Sequence, residues 1–211
     1  MEKVDYRKTM KEFYNPSRTP VIVDVPELRY LMIDGKGYPG TSQEYQDAIE
    51  ALYPVAYSLR FGLKKAGILD YKVMPLEGLW WAKDIDAFTI DSRKDEWLWT
   101  SMIMQPPLVT TDLYQEAIKK VNKKKNLVAL PKMRLEIYNE GMSVQIMHIG
   151  PFSEEGPVIE KMHQYAFDQG YELRGKHHEI YLSDFRKTAP EKLRTVIRQP
   201  IKGLSARRAQ A

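Results

Sequence analysis

The order strand, helix, strand, strand occurs twice along this chain of 211 residues, and that repetition limits the possible architectures more than any other feature. In the first copy, Val21–Pro26 and Leu28–Ile33 are rich in branched and aromatic residues and read as extended segments. Thr41-Ser-Gln-Glu44 forms a capping box, after which Tyr45, Ala48, Ile49, Leu52, Val55, Leu59 and Leu63 recur at helical spacing. Pro54 is expected to kink or split this helix and Gly67 to end it. Strands around Tyr71–Ala82 and Trp97–Met104 follow, joined by the acidic turn Lys83–Glu96.

The second copy begins after a connecting helix near Thr111–Lys125. Strands Arg134–Tyr138 and Met142–Ile149 lead through Gly150-Pro-Phe152 to a helix carrying Val158, Met162, Tyr165 and Ala166. Gly170 stops it and the strand His177–Leu182 follows. Thr188-Ala-Pro-Glu191 reads as a second capping box, with Pro in the first turn, opening a terminal helix over 188–199. The repeat predicts an α+β fold: two pseudo-twofold units forming antiparallel sheets around a concave ligand cleft, with helices on the outer faces. Residues 1–20 would be an extension and 21–211 one domain, with repeats at about 21–105 and 133–185.

Composition removes several chemistries. There is no Cys, which excludes disulfides, thiolate metal sites and thiol nucleophiles and suits the cytosol. With only four His a metal site is not expected, and no cofactor motif is present; Asp34-Gly-Lys-Gly37 lacks nucleotide-loop spacing and reads as a turn. No apolar run is long enough to span a membrane. The net charge of +4 comes largely from Lys119, Lys120, Lys123, Lys124 and Lys125, with Arg207 and Arg208 in the tail. That run lacks interleaved aromatics and reads as a solvated face rather than a nucleic-acid contact.

All four Trp fall in one stretch, at Trp80, Trp81, Trp97 and Trp99. Alternation in His177–Leu182 sets Ile180 and Leu182 on one face, expected to pack under the helices, and Glu179 and Tyr181 on the other, expected to be uncovered. Aligning Gly78-Leu-Trp-Trp81 with Glu179-Ile-Tyr-Leu182 places Trp80 beside Tyr181 on that open face and Trp81 in the core. Gly78 then matches Glu179 and leaves room before the carboxylate.

Pro75-Leu-Glu-Gly-Leu-Trp-Trp81, Met147-His-Ile-Gly-Pro151 and His177-His-Glu-Ile-Tyr-Leu-Ser-Asp184, with Thr188–Leu193 behind them, resemble the GyrI-like small-molecule-binding proteins. The resemblance implies two strand–helix–strand–strand units and a cleft. It also implies one of two roles: hydrolysis of the cyclopropane ring of DNA-alkylating cyclopropanoids such as yatakemycin, or non-catalytic binding of cationic or aromatic compounds, as in regulators and gyrase-protecting proteins. Two departures are Pro54 within the first helix and Phe185 where the related motif carries Pro. The buried cleft Glu of the family carries over to Glu179.

Opening a cyclopropane conjugated to a carbonyl requires a base for water and a hydrogen-bond donor for the oxygen that gathers charge. Glu179 is the expected base, with Tyr71, Tyr181 or His148 as donor or water-orienting group. Trp80 and Trp99 are the expected stacking walls for a flat ligand, although core packing explains them too. Met102 and Met104 share a parity and would form an adaptable floor. The expected partner is therefore a flat aromatic or amphipathic small molecule.

Overall fold

The computed structural model describes residues 3–83 and 91–204; part of the expected acidic turn Lys83–Glu96, and Arg207 and Arg208, lie outside them. In chain order the elements are β1 (Lys3–Val4), α1 (Tyr6–Thr9), α2 (Lys11–Tyr14), β2 (Val21–Val25), β3 (Leu28–Lys36), α3 (Gln43–Lys65), β4 (Asp70–Tyr71), β5 (Leu76–Trp81) and β6 (Leu98–Gln105). Then follow α4 (Thr111–Asn122), β7 (Arg134–Tyr138), β8 (Gly141–Ile149), α5 (Gly156–Asp168), β9 (Tyr171–Leu173), β10 (His177–Tyr181) and β11 (Arg194–Gly203). The chain forms two compact units, Met1–Thr9 with Leu28–Tyr138, and Met10–Glu27 with Asn139–Ala211.

In the first unit the antiparallel order is β5-β6-β3-β7, and in the second it is β10-β11-β8-β2. The strand–helix–strand–strand repeat is thus real, and each copy has the same internal strand order. Its boundaries differ from 21–105 and 133–185: β2 pairs with β8 and so belongs to the second unit, while β7 pairs with β3 and α4 packs on α3 in the first. Each unit is a helix laid on one face of an antiparallel sheet, an α+β arrangement.

Three local expectations are corrected. The first is the terminal helix over 188–199. Pro190–Lys192 makes a single 3₁₀ turn, and Arg194–Gly203 is a strand paired on both sides, to β10 and β8. Thr195-Val-Ile197 is a run of β-branched residues, stiff at χ1 and better packed on a pleated surface than on a helix, and it outweighs the cap. Secondly, Pro54 does not split α3: Ala51, Leu52, Val55, Ala56 and Leu59 are buried on both sides of it, and their packing offsets the lost backbone bond. Thirdly, the cap of α3 is Ser42, not Thr41: its hydroxyl accepts from the Tyr45 amide at 3.3 Å, and the Glu44 carboxylate accepts from the Lys36 amide instead.

The residues facing each helix follow from register, since directly paired residues of antiparallel strands share a face. In the first unit Trp80 pairs with Trp99 and Trp99 with Gly35, and Tyr45 of α3 covers both indoles, at 5.8 and 5.1 Å between ring centroids. In the second, Val144, Ile146 and Ile197 pack with Met162 and Ala166 of α5. Ile146 pairs with Ile197 and Ile197 with Glu179, so the row of Glu179 is the row that α5 covers.

Candidate functional site

That register reverses the expected facing of β10. Ile180 lies away from α5, paired with Val196, while His177, Glu179 and Tyr181 lie on the α5 side. Trp80 and Tyr181 each lie on the helix-covered face of their own unit, so the face expected to be open is covered. Trp80 is buried in the core of the first unit, and Trp81, expected there, is half-buried on the opposite face.

In the second unit a polar cluster sits where α5 meets β10 and β11. Glu179 is held from two sides. The Tyr181 hydroxyl donates to its Oε2 at 2.8 Å, and His177 Nε2 lies 3.4 Å from Oε1, an ion-pairing distance when the imidazole is protonated but without hydrogen-bond geometry. Phe152, in the 3₁₀ turn before α5, meets the Tyr181 ring edge-on at 5.8 Å.

Glu155, directly before α5, is buried, and its Oε1 has no hydrogen-bond partner. Burial first, and the negative charge of Glu179 second, push its pKa far above the carboxylate range. The nearby Thr195 hydroxyl opposes this only in part and makes no conventional hydrogen bond. Glu155 therefore keeps its proton at neutral pH. One turn into the helix and beyond, His163 is also desolvated; burial and then His177 lower its pKa to about 4, so it is neutral under the same conditions. Glu179 thus has a protonated carboxyl beside it, and a carboxyl held by a hydroxyl next to a proton donor is an acid–base pair in embryo.

The other expected site residues divide between the units. His148 shares the Glu179 face through its pairing with Thr195, which also pairs with Tyr181; its Nε2 lies 3.1 Å from the Pro151 carbonyl. Tyr71 belongs to the first unit, where its buried hydroxyl donates to Gln105 Oε1 at 3.4 Å and burial raises its pKa. Trp80 and Trp99 are core residues beneath α3 rather than open walls. Met102 and Met104 are buried on the face opposite the two indoles, as Met102 pairs with Glu77 and Met32. Among the described residues no group of three or more His, Asp or Glu is arranged to hold a metal ion.

Glu155 was missed by sequence reasoning. Its signal lay in Glu155-Gly-Pro157: an acidic residue at a helix start ordinarily serves the helix dipole, and nothing in the pattern marks it as buried. The opposite face of the same sheet carries a second buried carboxylate, Glu140, which is fully partnered. Arg198 Nη1 donates to it at 2.9 Å and His178 Nδ1 at 2.9 Å, while Arg198 also donates to Gln145 Oε1 at 3.0 Å and to the Phe13 carbonyl at 2.7 Å.

The family model of the GyrI-like small-molecule-binding domain matches residues 18–202, nearly the whole chain and all of the site just described. The chain belongs to the GyrI-like family. Among solved structures, a conserved protein of Listeria innocua is 41% identical with a TM-score of 0.87, covering 94% of this chain and 100% of that one. A hydrolase from the same organism, encoded by lin2189, is 40% identical with a TM-score of 0.86, covering 95% and 100%. The C-terminal domain of EcmrR, at 13% identity and a TM-score of 0.54 over 88% and 98% of the two chains, shares the fold. The sequence matches no curated protein. Among the described residues of this GyrI-like chain, no helix is long and apolar enough to cross a membrane.

Proposed function

We propose that this GyrI-like protein is a hydrolase that adds water across the electrophilic cyclopropane ring of flat, DNA-alkylating cyclopropanoids. The observation that carries the reading is a carboxyl pair: Glu179 aligned by Tyr181, next to a buried Glu155 that keeps its proton. The solved Listeria hydrolases at 40% identity support the same reaction class.

In this reading Glu179 takes a proton from water as the water oxygen attacks a cyclopropane carbon. The breaking carbon–carbon bond delivers its electron pair through the conjugated system to the carbonyl oxygen. Glu155 then protonates that oxygen, and the proton held on Glu179 passes to Glu155, so both carboxyls regain their starting state and the sum is one substrate plus one water. Tyr181 orients the base, since its hydroxyl is committed to Glu179. His148, turned toward the Pro151 carbonyl, supports the turn that leads into α5. Tyr71, committed to Gln105, takes no part. Ring opening destroys the alkylating centre, so the reaction protects DNA, and a chain without Cys is suited to doing so in a reducing cytoplasm.

The test is mass spectrometry of a cyclopropanoid incubated with a small molar fraction of protein. The reading expects many equivalents per protein molecule to gain one water. Retention of unchanged compound, saturating at one equivalent, would instead establish sequestration of aromatic or cationic molecules.

A further inference from the structure

We propose a second ligand site in the second unit, at the open edge of β8, that takes a small amphipathic anion: a carboxylate or phosphate monoester on a short apolar group. It is independent of the hydrolase reading. It lies at β8, whereas Glu179 is on β10 with β11 between them, about 10 Å across the sheet.

The fold creates the opening. β2 pairs with β8 only from Gly141 to Gln145. Beyond that, the Met147 amide donates to the Ser17 carbonyl at 2.9 Å, and among the described residues no further strand continues the ladder on this side. The Gly150 amide donates across the other edge, to the Leu193 carbonyl. Alternation between these two directions turns the Ile149 amide to the open edge, beside the cavity.

A cavity of about 260 Å³ occupies this place, lined by Arg18 on one side, Ile146–Ile149 along the strand, and Glu154, Val158 and Lys161 from the start of α5. Most of its surface is polar; its small apolar wall comes from the half-buried Val158 and the exposed Ile149, while Ile146 and Met147 lie buried beneath. Arg18 and Lys161 make no ion pair among the described residues, with Glu154 or with any other carboxylate. Glu154 Oε2 lies instead toward Gly150, within 3.4 Å of where a Cβ on that glycine would stand. Two cations without ion-pair partners and a backbone amide at the edge match an anionic head, and the small apolar wall of Val158 and Ile149 leaves room for a short hydrocarbon body. Arg supplies a planar fork and Lys a mobile point charge, and both suit carboxylate and phosphate oxygens.

The experiment titrates the full-length protein with phenyl phosphate and with benzoate, following backbone amide resonances, and uses benzylammonium as the cationic control of the same shape. Saturable shifts at Ile149 and Lys161 are expected for both anions, weakening as salt is raised, with no comparable binding of benzylammonium. Arg18→Ala and Lys161→Ala, both at exposed positions that leave the fold intact, should each weaken the anions about tenfold. No saturation by either anion, equal affinity for benzylammonium, or unchanged affinity in both variants would overturn the proposal. An anion response centred on Glu179 and Tyr181, and absent from Ile149, would also overturn it.

Discussion

The two helix–sheet interfaces of this protein are built on one plan and filled in opposite ways. Under α3, Trp99 fills the space above Gly35 so closely that a Cβ there would collide with the indole ring, and Tyr45 and Trp80 close the rest. Under the start of α5, the corresponding strands present Glu179, Tyr181 and Thr195, and the helix brings Glu155 and His163 to them. The first interface is packing that stabilises. Both keep buried polar atoms without hydrogen-bond partners, each at a cost in stability: Trp99 Nε1 and Ser101 Oγ in the first, and a carboxyl oxygen, a hydroxyl and two imidazole nitrogens in the second. The difference lies in the kind of group: in the second interface they include the titratable Glu155, His163 and His177, whereas in the first they are an indole and a hydroxyl that exchange no proton near neutral pH.

The largest effect expected from this contrast is on the aromatic side. Trp99→Ala should lower unfolding free energy by about 3–5 kcal/mol, measured by urea denaturation, because the indole is fully buried. A loss below about 1 kcal/mol would mean that the first interface is as loosely filled as the second.

Next comes the fully partnered carboxylate of the second unit. Glu140→Gln should cost about 3 kcal/mol, since it leaves Arg198 and His178 buried without their anion. The pKa of Glu140 is lowered to about 2, by the charges and hydrogen bonds of His178 and Arg198 acting against burial. Its contribution is thus present above the ordinary carboxylate pKa and is lost as pH falls from there toward 2, so acid unfolding should begin at higher pH in the variant.

Glu155 has the opposite sign. Its folded pKa is raised, so the folded state holds a proton that the unfolded state releases, and stability falls as pH rises above the ordinary carboxylate value. Glu155→Gln should remove a slope of up to about 1.4 kcal/mol per pH unit between that value and the raised one. Identical pH–stability curves for the two proteins would remove Glu155 from the account. The smallest effect concerns Tyr181→Phe, which should reduce turnover about tenfold through loss of one hydrogen bond to Glu179, with folding unchanged.

Much of this was legible before any coordinates. The repeat, most of its strands, the helix ends at Gly67 and Gly170 and the shared row of Glu179 and Tyr181 follow from alternation, spacing and glycine. What alternation leaves open is which row a helix covers. The row His177, Glu179, Tyr181 is polar and reads as solvent-facing, yet α5 covers it because Glu155 and His163 make the helix surface polar at the same place. Likewise, the cap-like Thr188–Glu191 pattern concealed β11, whose strand character depends on partners far away in sequence. The Trp cluster was plain, but its role was not: a strand of large aromatics looks the same lining a pocket or filling a core.

The central claim is that Glu179 is the base of a hydrolytic site. Its most direct test is the turnover of a cyclopropanoid by Glu179→Gln beside the unaltered protein, with folding checked by circular dichroism. Removing the basic oxygen while keeping shape should reduce turnover by about 10²–10⁴-fold and leave affinity for neutral aromatic ligands nearly unchanged. A folded Glu179→Gln protein that still hydrolyses at the original rate would contradict the account.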